Sequence, residues 1–158
     1  MQTSTRDVQV ISYKSPLFPS HWALFIPKVG KPELGTVIHV TGDAHKGFVH
    51  QFKRNYNHTT SSRASRLIPL GKVASSNIVD SQSDTESEDQ SPTDTLEEIA
   101  LAVPAPEKSL VSPSASKGTR VPVRNCQTWM YDYVAALIAR NILEASAVEA
   151  LSQVPKTW

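Results

Sequence analysis

The chain has 158 residues, of which 39% are hydrophobic, and a net charge of +1 at pH 7. That is enough apolar material for one modest core, and the balanced charge argues against nucleic acid or an acidic membrane surface as the main partner. No window approaches the ~20 apolar residues of a membrane span, and Met1–Val10 lacks the apolar centre of a secretory signal, so a soluble cytoplasmic protein is expected.

In chain order, Val8–Tyr13 is a short β-prone run, broken after Lys14 by Pro16 and Pro19. His21–Ile26 is almost wholly apolar and reads as a buried central strand that opens with a histidine. Lys28–Gly35 carries Pro32 and two glycines, a hairpin connection to the β-branched return strand Thr36–Val40. His21 and His39 then lie on neighbouring antiparallel strands. After a turn at Gly42–Gly47, Phe48–Tyr56 and Arg66–Ser75 supply two further strands. Ser81–Pro92 contains no hydrophobic residue, cannot offset its ordering entropy by burial, and is expected to be disordered. A short helix over Asp94–Val103 follows, with Leu96, Ile99, Ala100 and Val103 as its apolar stripe. Glu107–Gly118 is again rich in Ser, Pro and Lys. The reading is one domain built from residues 1–80 and 119–158, interrupted by a largely disordered insertion at 81–118. At the C-terminal end Asn125 caps a helix whose first turn holds Cys126, with Met130, Val134, Leu137 and Ile138 at helical spacing. A last helix spans Glu144–Gln153.

Cys126 is the only cysteine, which excludes an internal disulfide and a Cys-rich zinc site. His45 and His50 lie near Asp43, but their spacing does not match the helical two-histidine motif, so neither a metal nor another cofactor is expected. A thiol at a helix start is a different matter. Unpaired N–H groups and the helix dipole favour the thiolate there. A histidine within reach completes the activation, and the same N–H groups can hold an oxyanion. His21 is the candidate base, His39 the candidate third group that fixes its tautomer, and Cys126 the nucleophile. Asn125 is first a cap and second a polar site residue. Gln127 joins it as substrate-binding or oxyanion-supporting, and Trp22 and Trp129 are either core or walls of a substrate cleft.

The stretches His21-Trp22-Ala23-Leu24-Phe25-Ile26, Val37-Ile38-His39-Val40 and Asn125-Cys126 together resemble the lecithin:retinol acyltransferase family, and most closely its small phospholipase A/acyltransferases. The resemblance implies an α+β, permuted papain-like fold, with a small antiparallel sheet packed on a cysteine-bearing helix. It also implies His21 as general base, His39 as its orienting partner and Cys126 as the residue that forms a thioester. Gln127 and Thr128 stand where that family usually has Glu and His, while Trp129 keeps its aromatic position. The expected function is a thiol-dependent hydrolase or acyltransferase acting on a small acyl substrate, an ester, thioester or amide. Two alternatives are a cysteine peptidase or isopeptidase on the same scaffold, with a protein substrate, and a non-catalytic binding module that retains the fold.

Overall fold

A computed structural model of the chain describes residues 4–14, 20–43, 46–60, 64–83, 85–106 and 125–154. Alternating and β-branched sequence produces five long strands: β1 (Thr5–Tyr13), β2 (His21–Lys28), β3 (Lys31–Asp43), β4 (Gly47–Asn57) and β5 (Ser65–Ala74). A short sixth strand, β6 (Ser87–Asp89), completes one antiparallel sheet in the order β5-β1-β2-β3-β4-β6. The hairpin between β2 and β3 turns at Val29 and Gly30, and Gly30 supplies the positive φ of 82° that the turn requires. Three helices follow the pattern read from the sequence, α1 (Thr95–Ala102), α2 (Cys126–Ala139) and α3 (Ser146–Ser152). The fold is α+β. Among the described residues, no helix is long and apolar enough to cross a membrane.

The two faces of the sheet bury different amounts of apolar surface. On one, Val10, Trp22, Leu24, Ile26, Ile38, Val40 and Phe52 pack under α1, α2 and α3, against Leu96, Ile99, Trp129, Met130, Tyr133, Leu137 and Leu151. On the other, Ile11, Tyr13, Ala23, Phe25, Val37 and Tyr56 form a smaller cluster, with the Tyr13 and Tyr56 hydroxyls hydrogen-bonded at 2.8 Å. Because strand side chains alternate faces, β2 is apolar on both, which explains why His21–Ile26 reads as a continuous run rather than an alternation.

The acidic stretch differs from its expectation. Where composition predicts coil from Ser81 to Pro92, β6 pairs with β4 in the register Phe52–Asp89, Lys53–Glu88, Arg54–Ser87. The reason is polar rather than hydrophobic. All three residues of β6 are exposed, and the segment is held by donors from the strands. Asn55 Nδ2 reaches the carbonyls of Ser83 and Thr85 at 2.7 and 3.0 Å, Lys28 Nζ reaches Ser83 O at 3.0 Å, and Arg54 Nη2 reaches Ser91 O at 2.8 Å. Residues 107–118 of the expected insertion lie outside the described residues.

Candidate active site

Asn125 is a full N-cap. Its side-chain oxygen accepts from the backbone N–H groups of Gln127 and Thr128 at 2.9 and 3.2 Å, and the Thr128 hydroxyl accepts from Asn125 N in return, closing a capping box. Cys126 is thereby fixed as the first residue of α2, as its position after Asn125 predicts. The cap has a chemical consequence. Two of the first-turn N–H groups read as oxyanion donors, those of Gln127 and Thr128, are engaged by Asn125.

Cys126 is buried, with 7% of its surface exposed. Its Sγ lies 3.9 Å from the carbonyl oxygen of Ser20, and Gln127 Nε2 donates to the same oxygen at 2.8 Å. That oxygen belongs to the peptide joining Ser20 to His21, so the start of α2 docks on the start of β2. The Ser20 hydroxyl beside it is fully buried and has no hydrogen-bond partner among the described residues.

From the other side of the same peptide, His21 begins β2 and stacks on Tyr13 with ring centroids 5.7 Å apart. Alternation along β2 and β3 places His21 and His39 on the face that carries Ala23, Phe25 and Val37, opposite the helices. His21 Nε2 lies 2.7 Å from His39 Nδ1. His39 is 5% exposed, and burial pushes its pKa down from an ordinary 6.5 to about 4, partly offset by a hydrogen bond to Gln51 and reinforced by the charge of Lys53. It is neutral at physiological pH, so one ring nitrogen donates and the other accepts. The Cys126–Gln127 pair therefore docks on the backbone of the Ser20–His21 peptide from the helix side, while the His21 and His39 rings lie on the opposite face of the sheet.

The chain belongs to the DUF6540 family. That family, whose function is unknown, matches residues 8–144, a span that includes every residue of the site. No curated protein and no solved structure matches the chain.

The remaining expected site residues fall elsewhere. Trp22 is wholly buried in the helix-covered core, and its ring lies 5.8 Å from that of Tyr131. Trp129 is 1% exposed, stacks on Tyr133 and donates Nε1–H to the Val103 carbonyl at 2.9 Å. Of their two sequence readings, core and cleft wall, the burial corresponds to core. Gln127 donates to the Ser20 carbonyl, which docks the start of α2 on β2. His50 donates to Val103 O at 2.7 Å, pinning the end of α1, and His45 lies outside the described residues. Sequence reasoning missed Gln51, which bonds His39. The signal was in the strand register, since Gln51 stands directly opposite His39 on β4.

Proposed function

We propose that the chain is a thiol-dependent hydrolase or acyltransferase of permuted papain-like arrangement, working on an ester, thioester or amide in a cytoplasmic setting. The observation that carries this reading is the shared peptide: Cys126 at a capped helix start and His21 at a strand start, joined at Ser20 O, with His39 bonded behind His21. His21 uses Nε2 toward His39, so in this reading Nδ1 takes the thiol proton, and it does so around the end of the sheet, because the ring lies on the face opposite α2. The Cys126 thiolate then attacks the carbonyl carbon, forming an S–C bond and an oxyanion stabilised by the positive end of α2. Collapse breaks the bond to the leaving group, which departs with the proton from His21. Water or an acceptor attacks the thioester, gives its proton to His21 and regenerates the thiol.

One observation favours a second reading. The thiol is buried to 7% exposure, as an inert packed cysteine would be, and a binding module that keeps the fold would show it. The pH dependence of alkylation separates the two, and it reports one site because Cys126 is the sole cysteine. In the active enzyme the rate rises through an inflection well below the ~8.5 of an ordinary thiol. At pH 7, His21→Ala slows it roughly 10- to 100-fold. An ordinary inflection that His21→Ala leaves in place would end the enzyme reading.

A further inference from the structure

Gln51 bridges two partners. Its Oε1 lies 2.7 Å from His39 Nε2, and its Nε2 lies 2.6 Å from Glu88 Oε2 on β6. A carboxylate only accepts hydrogen bonds, so the amide nitrogen of Gln51 must face Glu88 and its oxygen must face His39. His39 Nε2 therefore carries a proton. Because His39 is neutral, its Nδ1 is left with a lone pair, and that lone pair lies 2.7 Å from His21 Nε2. The direction of every bond in the chain follows from its carboxylate end.

We propose that Gln51 and Glu88 are positioning residues for His21: the acidic strand β6 dictates, through the amide of Gln51 and the ring of His39, that the His21 proton sits on Nε2 and its lone pair on Nδ1. The idea builds on the reading of His21 as base, which needs that lone pair. A second observation supports it. β6 is exposed at every residue and buries no apolar side chain, yet it is held against β4 by Arg54, Asn55 and Gln90, which donates to His50 O at 2.9 Å. An all-polar segment kept in register by polar contacts is the means by which Glu88 is held in place. The Gln51–Glu88 contact is exposed, so its Coulomb effect on the rings is screened by solvent. Orientation of the Gln51 amide, rather than charge, is what Glu88 contributes.

The test is nitrogen-resolved NMR of the histidine rings in the full-length protein, near neutral pH, for wild type, Gln51→Leu, Glu88→Ala and Glu88→Gln. In the wild type His39 is neutral with its proton on Nε2, and His21 carries on Nε2 the proton that it donates to His39 Nδ1. Gln51→Leu and Glu88→Ala turn the single His21 tautomer into a mixture, and Glu88→Gln, which still offers an acceptor oxygen, restores it. A wild-type His21 protonated on Nδ1, or a His21 tautomer that neither substitution moves, overturns the proposal. A change in Gln51→Leu without one in Glu88→Ala overturns the role of Glu88. Glu88 lies on an exposed strand, so Glu88→Ala keeps the test independent of any folding defect in Gln51→Leu. The measurement uses no thiol chemistry. An unreactive Cys126 beside the expected tautomers removes the enzyme reading alone, and a reactive Cys126 beside unmoved tautomers removes the positioning chain alone.

Discussion

Strand β4 sends two polar chains toward neighbouring residues of β6, and they are built in opposite ways. From Gln51 the chain is neutral, running through His39 to His21 and ending on Glu88. From Arg54 it is ionic. The guanidinium grips both oxygens of Glu97 at 2.5 and 2.7 Å and both oxygens of Asp89 at 3.3 and 3.0 Å, and holds the Asp89 carboxyl below its ordinary range. Glu97 is wholly buried, and Thr93 N–H donates to it as well. One guanidinium is shared between two carboxylates and its donors are saturated with acceptors, which suits a fixed joint between α1, β4 and β6. In the histidine chain His39 is neutral and its ring is held between Gln51 and His21, so the chain directs hydrogen bonds rather than matching charges. Saturation fixes position, while neutrality leaves a proton to be directed.

The comparison can be broken most severely at the ionic joint. Arg54→Ala leaves Glu97 buried without its partner and should cost about 3–5 kcal/mol in urea unfolding. Replacing both partners, Arg54→Met with Glu97→Leu, should recover much of that loss, because a stranded charge costs more than the pair contributes.

The neutral chain is sharpened by pH. His39 folds with its pKa depressed from 6.5 to about 4, so the unfolded chain binds the extra proton between those values. Its contribution is fully present above pH 6.5 and is lost as pH falls toward 4, by about 3 kcal/mol across the window. Unfolding measured from pH 7 to 4 should show this slope, and His39→Gln should flatten it.

The smallest effect belongs to a surface contrast. Asp7 and Lys72 sit 3.6 Å apart with side chains 65% and 69% exposed. Asp7→Asn should change stability by less than ~0.5 kcal/mol, since solvent already screens that pair. A larger loss would mean that exposed charge matters here as much as the buried joint does.

Much of this architecture is local and therefore readable from the chain. Five strands and three helices follow from alternation, β-branching and capping. Asn125 before Cys126 determines where α2 begins, because a side-chain oxygen two and three residues from waiting N–H groups acts within one turn. His21 opening an apolar run and His39 among β-branched residues are equally visible. Tertiary structure alone decided the rest. Only the sheet order sets His39 opposite Gln51, and only the docking of α2 brings Cys126 to Ser20 O, 106 residues away in sequence. The acidic segment shows the limit most clearly. Its composition offers nothing to bury, so composition predicts coil, but the donors that order it, Lys28, Arg54 and Asn55, come from strands far along the chain. Periodicity reports which face a residue shares with its neighbours, and long-range polar pairing leaves no period to read.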